Sequence, residues 1–339
     1  MLIAVNYHYI AADVASESSH PYPAIYPTSP DALSSQLEEL GRRFEFVSGA
    51  QLLAALEGAP LPERACVVTF DDGLRGQFDE GLPVLDRLGV PALFFVSPRP
   101  TLERRGLPVH KIHFVRANVA PERILEALGN ELPADAAERA AATYRYDEPA
   151  AALVKWLLNF GLDGRRADAA IDRVFHGLVS DEPQWARETY LGRSEIRELA
   201  ARGWLGSHGW SHRPLATLDP KAMAEDLARS QAGLAVLLGS ADASVPFVSY
   251  PYGGANAVGP REAQAAQALG FRIGFTMERA LNRSLEQPLL LARIDTNDAP
   301  GGKHPLLAEN EGELHCLPGL ESQRGLYGAD TVARPEGAA

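Results

Sequence analysis

Short, nearly continuous apolar runs punctuate the chain at Leu2–Tyr7, Cys66–Phe70, Ala92–Val96, Trp204–Ser207, Phe247–Tyr250, Ile273–Thr276 and Leu289–Ile294. Runs of this kind are what strands buried on both faces of a parallel sheet look like. Between them the apolar positions switch to helical spacing. Ser29–Phe44 carries Leu33, Leu37 and Leu40 behind a Ser-Pro-Asp start signal, and Gly81–Leu88 is ended by Gly89. Ser194–Ala201 stops at Gly203, and Pro220–Leu238 and Pro260–Leu269 complete the set, the last ended by Gly270. Strands alternating with helices imply a parallel sheet with helices outside it, open or closed into a barrel.

One interval breaks the alternation. From about Thr101 to Leu191 no strand pattern is present, and Pro121–Leu132, Ala134–Tyr144 and Arg165–Leu178 read as helices. The expected organisation is a barrel over residues 1–300, interrupted by a helical insertion at about 101–191 that acts as a lid or a dimer contact. A C-terminal extension, 301–339, is expected to be partly disordered, since its end is rich in Gly, Pro and charge.

Composition narrows the function classes. With 339 residues, 46% hydrophobic and 22% charged, the chain is long enough for a large core. A formal charge of −12 argues against nucleic acid as a partner, because phosphate binding needs a basic face. The two cysteines, Cys66 and Cys316, make no disulfide framework and read as reduced thiols. The segment Met1-Leu2-Ile3-Ala4-Val5-Asn6-Tyr7 has the pattern of a strand and lacks a basic leader followed by a long apolar stretch. No run is long enough to span a membrane. These features lead to the expectation of a cytoplasmic protein with a small-molecule or carbohydrate substrate and possible homo-oligomerisation.

The candidate chemistry lies at the ends of the predicted strands. Thr69-Phe70-Asp71-Asp72-Gly73 closes the second strand, and Ser207-His208-Gly209-Trp210-Ser211-His212 follows the fourth. Two histidines and a carboxylate suit a divalent metal such as zinc and leave a coordination position for water. A second aspartate supplies the base such a site needs. Strand-end positions converge at the C-terminal face of a β/α barrel, and the spacing His208-x-x-x-His212 is expected to put both imidazoles on one face of a helical turn, stopped by Pro214.

These two motifs together resemble those of the polysaccharide deacetylase family, which has the NodB-homology fold. The resemblance implies an α/β chain folded as a distorted (β/α)7 barrel, holding a divalent metal, most often Zn2+, and hydrolysing N-acetyl groups on sugars. It implies Asp71 as general base and Asp72, His208 and His212 as metal ligands. Tyr252, in Tyr250-Pro251-Tyr252-Gly253, matches the tyrosine whose backbone amide stabilises the oxyanion in the family.

Two departures stand beside these matches. The arginine that orients the base aspartate in the family is replaced by Ser249, and Arg293 in Arg293-Ile294-Asp295 is the candidate substitute. The late histidine that serves as general acid has no counterpart; His8 and His304 are the candidates. His110-x-x-His113 lacks a neighbouring carboxylate in sequence and reads as structural or substrate-facing. Trp210 either stacks on a sugar or packs beneath the histidine loop, and Arg104-Arg105 is either a solvated pair or a phosphate contact at the barrel mouth. The expected activity is N-deacylation of a small or activated acylamino sugar. The alternatives are an amide hydrolase of the same fold acting on a non-sugar amide, and a non-catalytic sugar-binding barrel.

Overall fold

Side-chain volume and capping place the elements close to where the apolar pattern puts them. The computed structural model describes residues 1–12, 27–129, 132–144, 147–310, 313–316 and 321–322. The chain opens with strand β1 (Leu2–Tyr7), helix α1 (Pro30–Gly41), strand β2 (Glu45–Phe46), helix α2 (Gly49–Leu56) and strand β3 (Ala65–Phe70). Helix α3 (Leu82–Leu88) and strand β4 (Ala92–Val96) follow. Ser29 caps α1, its hydroxyl accepting from the Ala32 amide at 3.1 Å, with Pro30 already in the first turn. Ser48 and Gln51 form a reciprocal capping box on α2.

A long helical segment comes next: α4 (Arg99–Glu103), α5 (Pro108–Asn118), α6 (Pro121–Leu128), α7 (Ala136–Thr143), α8 (Pro149–Trp156), α9 (Gly164–Leu178) and α10 (Glu182–Thr189). Sequence pattern alone missed α5, α8 and α10, whose apolar positions are too few and too irregular to show a stripe. The sheet resumes through α11 (Arg193–Ala201), β5 (Leu205–Ser207), α12 (Pro220–Leu238), β6 (Phe247–Ser249), α13 (Pro260–Ala268) and β7 (Ile273–Phe275). The short strands β8 (Ala280–Leu281) and β9 (Ile294–Asp295) precede β10 (Leu307–Asn310), β11 (Glu313–Cys316) and β12 (Glu321–Ser322).

The main sheet runs β7-β6-β5-β4-β3-β1-β9 with every neighbouring pair parallel, and β2 pairs with the start of β3. Its edges meet through one segment. Leu291 exchanges hydrogen bonds with Gly274 and Thr276 beside β7, while Ile294 and Asp295 pair with Val5 and Asn6 of β1. The run Leu289–Ile294, expected as a continuous strand, is therefore a 3-10 turn at Pro288–Leu290, a bridge at Leu291 and a two-residue strand. Bridging both edges forces the break, since neither neighbour continues in register. The result is the distorted parallel barrel of the NodB type.

Two aromatic-rich cores support it. Between the sheet and its outer helices, Phe70 stacks on Tyr7 and on Phe94 (ring centroids 5.2 and 4.7 Å), and Phe94 stacks on Trp204. The helical segment has a core of its own, with Ile112, Val115, Ile124, Trp156, Ile171 and Phe175 at its centre. Residues beyond 322, including the expected C-terminal tail, lie outside the described residues. Among the described residues no helix is long and apolar enough to cross a membrane.

The stack through Phe94 joins β3, β4 and the approach to β5, so Phe94→Ala should cost about 3–5 kcal/mol in urea unfolding. A loss below about 1 kcal/mol would mean that the stack contributes no more than an average position.

A candidate metal centre beside a clasped aspartate

Asp71 leaves β3 with its amide still donating to the Tyr7 carbonyl at 3.0 Å, so the carboxyl emerges at the C-terminal end of the sheet. Its side chain is almost fully enclosed. Arg293 meets it in a fork, Nη1 donating to Oδ1 at 2.8 Å and Nη2 to Oδ2 at 2.7 Å. Oδ2 also accepts from Ser249 Oγ at 3.0 Å and from Asn6 Nδ2 at 3.1 Å. The rest of the guanidinium is held as firmly. Nε donates to the Thr276 carbonyl, Nη1 to Asn6 Oδ1 and Thr69 Oγ1, and Nη2 to Ser249 Oγ at 2.8 Å. Burial by itself would raise the Asp71 pKa, but Arg293 and His208 outweigh it and leave the carboxyl lowered to about 2.

Ser249 thus has a physical reason to stand where the resemblance expects an arginine. A hydroxyl occupies little space, bridges Asp71 and Arg293, and lets the guanidinium enter from the opposite side of the barrel.

Asp72 turns the other way. Its backbone adopts φ +81°, and Gly73 follows at +68°. Its Oδ1 faces His208 Nε2 at 3.3 Å and His212 Nε2 at 3.0 Å. His208 Nδ1 donates to the Ser249 carbonyl at 2.8 Å, which turns Nε2 toward Asp72, the orientation that suits a metal ligand. Burial would raise the Asp72 pKa, yet His110, His208 and His212 hold it well below the usual carboxylate range. Burial also keeps the His212 imidazole below its ordinary value, whereas Asp71 and Asp72 raise that of His208 against its burial.

The two histidines do not share a helical turn. Residues 208–212 form a bend in which Gly209 (φ +70°) and His212 (φ +55°) both take the left-handed region. Asp226 of α12 fixes this loop by accepting from the amides of Trp210 at 2.8 Å and Ser211 at 2.9 Å. Chain reversal, not helical periodicity, brings the rings to 4.9 Å centroid separation. A loop tied by its own amides overrides the i,i+4 expectation.

Among the described non-glycine residues, left-handed φ occurs at Asp72, Arg104, His212 and Tyr252. Three of these four belong to the site, which is where backbone strain concentrates when a constellation is held for function. Tyr252 follows β6, its hydroxyl donating to Asn159 Oδ1 at 3.0 Å and its ring 5.4 Å from that of His212.

A cavity of about 470 Å³ opens over this centre, lined by Asp71, Asp72, His208, His212, Tyr252 and His8 among others. His113 also lines it, its Nδ1 3.1 Å from Tyr9 Oη, and burial holds its imidazole well below the ordinary histidine value. His304 does not: its side chain is exposed and its backbone caps the turn at Asn297. Trp210 packs beneath the loop under the Arg229 guanidinium, 4.2 Å from the ring centroid, and is not among the cavity residues. Arg105 pairs with Asp172 and Glu182 on the helical segment, so it is no phosphate contact at the mouth.

His110, read from the sequence as structural or substrate-facing, lies against the metal centre. It is fully buried, with Nε2 3.2 Å from Asp72 Oδ2 and Nδ1 2.6 Å from Tyr190 Oη. The carboxylate absent from its sequence neighbourhood is supplied by the fold. The only advance signal was the His110-x-x-His113 spacing behind Leu107-Pro108.

Whether the centre fits a metal is decided by its orphan atoms. Asp72 Oδ1 is buried without a hydrogen-bond partner while two imidazole nitrogens converge on it, and the three ligand atoms lie within 4.8 Å of one another. An unsatisfied buried carboxylate oxygen is expensive unless a cation takes it. The donor set fits a divalent ion.

An Asp-His-His cluster next to a clasped aspartate, at the C-terminal ends of a curled parallel sheet, is the arrangement that the resemblance to polysaccharide deacetylases implies. A family model described as polysaccharide deacetylase matches residues 173–274, which include His208, His212 and Tyr252. Among solved structures the chain is similar to the Streptococcus pyogenes deacetylase PplD in complex with acetate. That match has 15% identity and a TM-score of 0.54, covering 87% of this chain and 91% of that one. It is also similar to a de-N-acetylase from Aggregatibacter actinomycetemcomitans, at 17% identity and a TM-score of 0.50, over 87% and 95% of the two chains. No curated protein matches in sequence. The family match shows the resemblance to polysaccharide deacetylases, the structures show the shared fold, and together they support a hydrolytic deacetylase.

Arg293→Met would leave the Asp71 carboxylate buried and unpaired, which typically costs about 3–5 kcal/mol. Chemical denaturation should show that loss, with Arg293→Lys losing less. Because Asp71 has a folded pKa below its unfolded one, its contribution is complete above about pH 4 and fades as pH falls toward 2. The wild-type advantage over Arg293→Met should shrink over that same acid range; an advantage that persists unchanged would exclude the pairing as its source.

Proposed function

We propose that the chain is a metal-dependent N-deacetylase acting on a small acylamino sugar, with a cytoplasmic setting as part of the proposal. The observation that carries it is the orphaned Asp72 Oδ1 between two imidazoles, beside an aspartate whose charge is secured by Arg293. Asp72, His208 and His212 would hold a divalent ion, and their two nitrogens and one oxygen suit zinc. When bound, that ion supplies Lewis-acid polarisation of the amide carbonyl and lowers the pKa of water.

The protein's residues do the rest. Asp71, kept ionised by the Arg293 fork, is the base that accepts the proton of the attacking water. Arg293 orients that carboxylate and touches no reacting atom. The backbone N–H of Tyr252, set by its left-handed φ of +64°, is the proposed donor to the developing oxyanion. The acid that protonates the departing amine is assigned to His8, half-buried at the cavity, since burial keeps His113 neutral. An aspartate held ionised by an arginine beside a divalent-ion donor set speaks for a hydrolase over a non-catalytic barrel.

The substrate class follows from size and charge. Val109 and His113 of α5 wall the cavity, and its volume suits a small ligand better than a polymer groove. Among the described residues its lining includes Asp295 as well as the two catalytic-centre aspartates, and no Lys or Arg. A phosphate would find no guanidinium or ammonium there. An uncharged acylamino sugar therefore fits better than a nucleotide-activated one.

Two outcomes are expected. With zinc or cobalt supplied, the wild type releases acetate from an N-acetylated monosaccharide or disaccharide. Asp71→Asn retains the metal but falls at least about 100-fold in kcat, and His8→Gln loses about 10- to 100-fold with KM little changed. Full activity in Asp71→Asn would sink the base assignment. In the same assay, kcat/KM for the free sugar should exceed that for its 6-phosphate or nucleotide diphosphate form. The reverse order would overturn the charge argument.

A further inference from the structure

The helical segment between β4 and β5 reaches into the metal centre at one point. His110, on α5, lies 0% exposed against the Asp72 carboxylate. An ionised carboxylate can only accept, so His110 Nε2 carries the hydrogen and donates it to Asp72 Oδ2. In the neutral ring Nδ1 is then an acceptor, and the Tyr190 hydroxyl, 2.6 Å away, is the donor that fixes this tautomer. Tyr190 is in turn held from two sides. Its oxygen accepts from the Leu107 amide at 2.9 Å, and its backbone bridges Leu74 two residues beyond Asp72, with the Leu191 amide donating to the Gly73 carbonyl at 3.0 Å.

The consequence falls on Asp72. One carboxylate oxygen is committed to His110; the other, Oδ1, is left facing His208 and His212 with no hydrogen-bond partner. The backbone at Asp72 is in the left-handed region, which aspartate tolerates better than most residues but which its surroundings still have to hold in place. The His110 bond on the side chain and the Tyr190–Leu74 bridge on the following backbone are those surroundings.

We propose that His110, locked by Tyr190, is a positioning residue that makes Asp72 present a single oxygen to the divalent ion, so that the helical segment is an integral part of the metal centre. This rests on the metal-dependent reading above. A ligand's hydrogen-bond partner of this kind typically changes metal affinity by about 10- to 100-fold when removed.

The test is metal binding, measured apart from turnover, by zinc titration against a competing chelator and by the visible spectrum of the cobalt form. Folding of each variant is checked by circular dichroism in chelator. His110→Ala is expected to lose about 10- to 100-fold in affinity, with a changed cobalt spectrum as Asp72 becomes free to use both oxygens. His110→Gln, which keeps a donor in reach, should recover most of the loss, and Tyr190→Phe should fall between the two. If His110→Ala does not fold, the Gln and Phe variants carry the comparison alone.

Affinity and spectrum unchanged in His110→Ala and Tyr190→Phe would overturn the proposal. So would a loss in His110→Ala as deep as that of Asp72→Ala and not rescued by Gln, because His110 would then be a ligand itself. A wild type that binds neither zinc nor cobalt would overturn the metal-dependent reading and this inference with it, an outcome distinct from either of those.

Discussion

A buried charge pair cannot be left half-made, and the Arg293–Asp71 fork imposes that condition on the whole barrel. Both groups are removed from water, at 0% and 3% side-chain exposure. Breaking such a pair leaves an uncompensated charge in the interior. Satisfying the guanidinium takes groups from several places: Asn6 on β1, Thr69 and Asp71 at the end of β3, Ser249 on β6 and the Thr276 carbonyl after β7. The closing segment 291–295 must therefore sit between β7 and β1 for the arginine to reach its partners. Barrel closure and the placing of the Asp71 carboxylate are one constraint.

The neighbouring aspartate is governed by the complementary arrangement. Asp71 has its charge fully answered by protein groups; Asp72 has one oxygen answered by His110 and the other left open beside two imidazoles. Adjacent residues of identical chemistry thus acquire different roles from their partners alone. Opposite facing of the two side chains follows from the extended backbone ending at Phe70 and the left-handed turn beginning at Asp72.

How much of this could be read along the chain differs from element to element. β1, β3 and β4 are buried on both faces, and their continuous apolar runs match the observed bounds within a residue. The strand run at Leu289–Ile294 misled because apolar character reports burial and not hydrogen-bond register, and this segment is shared between two edges. Helix α5 packs on α9, α8 on α6 and α7, and α10 on α4; in the core they surround, a few large residues such as Trp156 and Phe175 do the burying and no regular stripe is needed. The candidate site was legible where its members follow strands within a few residues. His110 was not, because its carboxylate partner lies 38 positions away in sequence.

From its residues alone, this chain determines the strand-helix alternation and marks Asp71, Asp72, His208 and His212 as the candidate metal-site groups, because periodicity and side-chain type are local properties. Tertiary structure decided how those groups are used. It turned His208 and His212 together through a strained loop and not a helix, brought Arg293 across the barrel onto Asp71, and laid His110 from a distant helix against Asp72. Each of these is a contact between residues far apart in the chain, and its free energy exists only once both partners have been taken out of water and placed together.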